Sequence, residues 1–136
     1  MDFTSLGELA QRRFGWRLFT AMRYHPQTHE LERLYSSDPA LYPLSGRKEK
    51  RATPWSRLVL ERGEPYFANG PEGIRAAFDD ADKILANGLR AVMNVPVKDG
   101  GRVLGTLNFL HEAYAPDDLP RAVALASGIE TLFRAP

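Results

Sequence analysis

Two asparagines stand out as residues able to do chemistry. Asn94 and Asn108 lie inside the two most strongly patterned apolar segments of the chain, residues 89–98 and 102–112. A buried amide that finds no partner costs about 1–3 kcal/mol. Each asparagine therefore either braces neighbouring backbone or turns a donor and an acceptor toward a ligand. They share a sheet face if the turn between them has an odd number of residues, as Asp99-Gly100-Gly101 does; an even-numbered turn separates them. His111, three positions past Asn108, points to the opposite face of a regular strand.

Other polar clusters carry weaker chemistry. The basic run Arg47-Lys48-Glu49-Lys50-Arg51 suits phosphate or carboxylate recognition, or simply a solvated loop. Asp79, Asp80 and Asp82 lack the spacing and glycine of a calcium loop, and His25 and His29 have no third ligand in view. No metal site is expected. The glycines at 100 and 105 precede no phosphate-holding lysine, and neither a Gly-x-Ser-x-Gly elbow nor a His-Glu-x-x-His pair occurs. With no nucleophile–base relay to assign, no catalytic residue is expected.

The elements that must position these groups follow from periodicity and punctuation. Residues 5–13 read as a helix, with Ser5 and Glu8 at capping-box spacing and Leu6, Leu9, Ala10 and Arg13 on one face. Residues 17–24 alternate as a strand, placing Leu18, Thr20, Met22 and Tyr24 on one face and Phe19, Ala21 and Arg23 on the other. A turn at 25–29 returns the chain along a second strand, 30–36. Residues 37–52 read as polar and irregular. Thr53 is a natural N-cap, Pro54 suits the first helical position, and Gly63 suits a left-handed stop. Between them Trp55, Leu58 and Val59 form an apolar stripe. Residues 64–68 form a short strand, at an edge or strand start because of Pro65. Residues 74–85 give one broken helix or two. The strands 89–98 and 102–112 form a hairpin. Residues 116–134 read as one amphipathic helix with Leu119, Ala122, Val123, Ala126, Ile129 and Phe133 inward. The expected fold class is α+β, an antiparallel sheet with helices packed on it.

Composition narrows the classes. At 136 residues and 43% hydrophobic, the chain has the size of a single domain, 1–136, with one substantial core. Eighteen basic residues against 17 acidic give a net charge of +1, which supplies no field for nucleic acid or an anionic membrane. There is no cysteine, hence no disulfide, thiolate metal site or thiol nucleophile. No apolar run approaches the roughly 18 residues of a membrane span. Met1-Asp2-Phe3-Thr4-Ser5 lacks the basic-then-apolar order of a signal peptide, so the expected location is cytoplasmic.

In this order of elements the chain resembles the GAF domain, a small-molecule sensor module. The carrying residues are Gly88-Leu89-Arg90-Ala91-Val92-Met93-Asn94-Val95-Pro96-Val97 and Asp99-Gly100-Gly101-Arg102-Val103-Leu104-Gly105-Thr106-Leu107. They are similar to the family's strand ending in Val-Pro-Leu, its glycine turn and its Gly-Val-Leu strand. Tyr114-Ala115-Pro116-Asp117-Asp118-Leu119 resembles the approach to the family's last helix, and His25-Pro26-Gln27-Thr28-His29-Glu30-Leu31 its first hairpin. Asn-Val-Pro-Val followed by Gly-Thr-Leu-Asn-Phe-Leu-His is similar to small free-standing bacterial members.

The resemblance implies a central antiparallel sheet of five to six strands, terminal helices on one face, and a pocket between the other face and the middle segments. Thr20, Met22 and Tyr24 would then look into the pocket, with Asn94 and Asn108 beside them. Trp55 and Tyr66 would complete its walls, core packing being the favoured alternative for Trp55. Without cysteine, the family's methionine sulfoxide reductase chemistry and covalent bilin attachment are both excluded. The cyclic-nucleotide signature survives only as scattered Asn108-Phe109 and Asp117-Asp118. The expectation is a non-enzymatic sensor for a small organic ligand, with no cofactor, read out through the terminal helices in a homodimer or against a partner. The alternative is an interaction module with a vestigial pocket. In the first case Tyr24→Ala or Asn108→Ala abolishes ligand-induced stabilisation and leaves the fold intact.

Overall fold

The computed structural model describes residues 1–134. Helix α1 (Phe3–Arg13) is followed by β1 (Leu18–His25), β2 (Glu30–Ser36) and the two-residue β3 (Lys48–Glu49). Helix α2 (Pro54–Ser56) runs directly into a π-helical turn (Arg57–Glu61). Then come β4 (Tyr66–Asn69), α3 (Pro71–Ala77), α4 (Ala81–Ala86), β5 (Ala91–Asp99), β6 (Arg102–His111), α5 (Asp118–Leu125) and a 3₁₀ turn (Glu130–Phe133). The six strands form one sheet in the order β3-β2-β1-β6-β5-β4, with antiparallel neighbours throughout. This is the expected α+β architecture.

Alternation along β1 sorts the two sides of the sheet. Phe19 and Ala21 join Met93, Val95, Leu107 and Phe109 beneath the terminal helices, while Leu18 joins Val92 and Leu110 on the other side. Phe19 and Phe109 are register partners, fully enclosed and stacked with ring centroids 4.8 Å apart. Each such ring contributes about 1.5–3 kcal/mol by burial.

Several boundaries differ from the sequence reading, each for a local reason. Helix α1 is capped by Asp2, whose Oδ1 accepts from the Ser5 amide at 2.8 Å, so Ser5 sits inside the first turn and is not the cap. The earlier start lets Phe3 pack on Tyr35 and Phe133, with centroids 5.8 and 5.5 Å away. The expected single C-terminal helix is broken: α5 ends at Leu125, and Gly128 at φ +86° redirects the chain into the 3₁₀ turn. Val123, expected inward, is 42% exposed. The redirection carries Phe133 beneath the sheet, where its carbonyl and that of Arg134 accept from the Arg23 guanidinium at 2.8 and 3.0 Å. In the loop read as irregular, β3 adds an edge strand against Glu30 and Leu31. Residues 74–85 resolve into two helices, α3 and α4.

The cap at Thr53 is as the sequence indicates. Its Oγ1 accepts from the Ser56 amide at 3.0 Å, and Ser56 Oγ accepts from the Thr53 amide at 2.8 Å, a reciprocal capping box. Thr53→Ala is expected to cost about 1 kcal/mol, read as a melting temperature lowered by roughly 3–5 °C. The β1–β2 hairpin carries its own charge cluster. His25 Nε2 donates to Glu32 Oε1 at 3.0 Å, and the Arg23 guanidinium lies 3.5 Å from the same oxygen. The His25 hydrogen bond, helped by the charge of Arg23, holds the Glu32 carboxyl below its ordinary range. A depressed carboxylate contributes stability above its unfolded pKa and loses it as pH falls through the folded value. Glu32→Gln should therefore be less stable than the parent near pH 7 by under about 1 kcal/mol, the two converging in acid denaturation curves as pH falls through the folded value of Glu32.

Candidate functional site

A two-residue turn joins β5 to β6: Gly100 and Gly101 have φ of +59° and +84°, both glycine-favoured, and Asp99 pairs with Arg102. That even-numbered turn alone would put Asn94 and Asn108 on opposite faces. It does not, because the register shifts between Val97 and Lys98. Lys98 pairs with Val103 but Val97 with Gly105, leaving Leu104 as the extra residue of a bulge. The shift restores parity, and Asn94 and Asn108 become direct partners on the face away from the terminal helices.

On that face a chain of hydrogen bonds crosses three strands. Trp55 Nε1 donates to Asn94 Oδ1 at 3.0 Å, Asn94 Nδ2 to Asn108 Oδ1 at 2.8 Å, and Asn108 Nδ2 to Thr20 Oγ1 at 3.2 Å. An indole N–H can only donate, so Trp55 fixes the orientation of the first amide and, through it, of the second. All four residues are buried. The Thr20 hydroxyl ends the relay as an acceptor, which leaves its own proton free to donate.

The relay forms one wall of a cavity of about 180 Å³. Leu18, Met22 and Leu110 extend that wall along the sheet, while Phe78 and Ile84 close it from the α3–α4 side. Charge enters at Arg33, Lys50 and Asp80. Lys50 Nζ lies over the Trp55 ring at 5.2 Å, and the Arg33 guanidinium lies 5.3 Å from the Tyr42 centroid. Tyr42 donates to Asp80 Oδ2 at 3.4 Å. Burial, with the Asp80 charge beside it, pushes the Tyr42 phenol well above its ordinary value and keeps it a neutral donor.

Of the residues singled out from sequence, Thr20, Met22, Trp55, Asn94 and Asn108 come together at this cavity. Tyr24 and Tyr66 do not. Tyr24 lies beyond Met22 on β1, its hydroxyl 3.2 Å from His29 Nδ1, among Trp55, Val59 and Leu60. Tyr66 donates to the Gly73 carbonyl at 2.6 Å and pins α3 to β4. Tyr24→Ala therefore truncates a side chain outside the cavity. Asn108→Ala would not leave the fold untouched either, because it strands the Asn94 amide and the Thr20 hydroxyl. His111 packs against Tyr114 on the helix side, as parity requires. Among the described residues, no group of three or more His, Asp or Glu side chains is placed to hold a metal ion, and no helix is long and apolar enough to cross a membrane.

Arg33 and Tyr42 escaped the sequence reading, and Asp80 was weighed there as a calcium ligand, not as a pocket residue. For Arg33 a signal existed: on β2 it is the register partner of Met22 and shares its face. Lys50 belongs to the basic run already noted. Tyr42 sits in a loop with no period to place it, and Asp80 reads equally well as a helix cap.

Comparison with known proteins agrees with this fold. Among solved structures, the chain is similar to a GAF domain/HD domain protein from Geobacter sulfurreducens, with TM-score 0.74 and 12% identity over 96% of this chain and 88% of that one. It is similar to the GAF domain of a two-component sensor histidine kinase from Bacillus halodurans, with TM-score 0.72 and 11% identity over 96% and 90%. It also resembles free methionine-R-sulfoxide reductase from Neisseria meningitidis, with TM-score 0.60 and 18% identity over 96% and 76%. At these identities the likeness is one of fold. Among curated proteins, none matches. The GAF domain family model matches residues 11–131, a span that takes in all six strands and every residue of the hydrogen-bonded relay. GAF domains are typically sensory, ligand-binding modules, and this chain belongs to the GAF domain family.

Proposed function

We propose that this domain binds a small organic molecule in the cavity beside Trp55, Asn94, Asn108 and Thr20, and that it does so as a sensor without turning the ligand over. The hydrogen-bonded relay carries the reading. It is a pre-oriented polar strip in an otherwise largely apolar wall, the pattern of a ligand pocket with few, well-placed polar contacts. Among the described residues that line the cavity, Asp80 is the one carboxylate, and it is engaged by the Tyr42 hydroxyl, which supports binding over turnover. The loop bearing Tyr42 and Lys50 and the α3–α4 segment close over the sheet, so a ligand that favours their closed arrangement shifts the population toward it.

The test is native mass spectrometry of freshly purified protein against its denatured mass, followed by an NMR fragment screen. Retained mass that disappears on denaturation, or fragments that shift the Trp55 indole N–H, is the expected result. Hits that move only α1 and α5 resonances would overturn the assignment. They would favour the alternative, a docking or dimerisation module using the terminal helices, for which exposed Val123 on α5 is the supporting observation.

A further inference from the structure

We infer that the ligand of this cavity is a small organic anion, a monocarboxylate with an apolar body about the size of one aromatic ring. This deepens the proposed function and rests on it. The volume sets the body: a cavity of about 150 Å³ holds benzene, and this one is about 180 Å³ with Trp55 and Phe78 in its wall.

Charge sets the head group. Arg33 and Lys50 line the cavity, and neither has a carboxylate within 4.0 Å among the described residues. The remaining ion pairs of the molecule engage other cations. Arg33 is held in place by its Nη1 bond to the Pro43 carbonyl at 2.9 Å and by the Tyr42 ring, yet its enclosed Nε has no acceptor. A positioned guanidinium that lines the cavity without a counter-charge favours an anion there. Lys50, riding on the Trp55 ring, brings a second positive charge to the same space. Asp80 supplies the one negative charge in the lining and already accepts from Tyr42. The lining is thus one positive charge in excess, which a monocarboxylate neutralises. The Thr20 hydroxyl proton and the relay amides meet its remaining polar atoms.

Two shape-matched sets of probes test this: benzoate, benzyl alcohol and benzylamine, and isovalerate, isoamyl alcohol and isoamylamine. Each is titrated in chloride buffer while the Trp55 indole N–H is followed by NMR. Trp16 is an internal control, since its indole donates to the Gly7 carbonyl beneath α1, on the far side of the sheet. The expected result is that at least one carboxylate binds more tightly than its alcohol by about tenfold or more, with the amine weakest. Lys50→Met and Arg33→Met should each remove most of that preference, read as the ratio of carboxylate to alcohol affinity within each variant. Lys50→Met alone decides the matter if Arg33→Met fails to fold. Alcohol or amine binding as tightly as carboxylate, with the Trp55 signal responding, overturns the anion assignment and leaves the cavity reading standing. If none of the six probes moves Trp55 at millimolar concentration, the cavity reading falls and the anion inference falls with it.

Discussion

Replacing Gly105 by alanine should lower the melting temperature by about 10–15 °C or leave the protein unable to fold. Gly105 lies on β6 on the helix-facing side of the sheet, between Arg23 of β1 and Val97 of β5. A Cβ built there runs into the carbonyl oxygen of Met22 on the neighbouring strand and comes within 2.6 Å of Phe133 Cδ1. The ring can move. The strand carbonyl moves only if β1 and β6 separate, and they are the two central strands. Overpacking a well-filled core costs about 1–3 kcal/mol and more where backbone must yield, which at this chain length gives roughly the shift stated. Gly100→Ala is the control. There the strain comes only from φ +59°, with nothing near the added methyl, and the expected cost is about 1–2 kcal/mol. Thermal melts of the two variants decide: a Gly105→Ala loss no larger than that of Gly100→Ala would show that the close approach is relieved cheaply.

Asn94→Ala should be nearly as damaging, for a different reason. The substitution removes the middle of the relay, leaving the Trp55 N–H without an acceptor and Asn108 Oδ1 without a donor, both in buried surroundings. Each orphaned group costs about 1–3 kcal/mol, so the combined loss is expected near 3 kcal/mol, again roughly 10 °C or more. Urea unfolding followed by tryptophan fluorescence measures it. The double variant Asn94→Ala/Asn108→Ala should cost less than the sum of the singles, because the second substitution removes a partner already orphaned. Strict additivity would mean that the two amides do not act as a unit.

Much of the fold was legible because its punctuation is local. Thr53, Pro54 and Gly63 mark their helix by backbone chemistry that operates within a few residues. Alternation from Leu18 to Tyr24 needs no knowledge of the rest of the chain to assign its two faces. Where the reading went astray, a competing local signal or a tertiary contact prevailed. Asp2 caps α1 in place of Ser5, and Phe3 gains a place in the aromatic core by the shift. The apolar spacing of residues 119–133 is real, but Gly128 breaks the helix, and the break seats Phe133 against the glycine that leaves room for it.

The candidate site divides in the same way. The sequence pointed to two asparagines in apolar strands as groups in need of partners, while Thr20 and Trp55 joined them only through the family resemblance, with core packing favoured for Trp55. Tertiary structure alone decided that they meet. Side-chain parity along a strand is absolute, so a two-residue turn would have parted Asn94 from Asn108, and only the extra residue at Leu104 brings them face to face. No local pattern announces that bulge, nor the folding of the 37–52 loop that delivers Tyr42 and Lys50 to the cavity, because both are fixed by contacts between segments far apart in the chain.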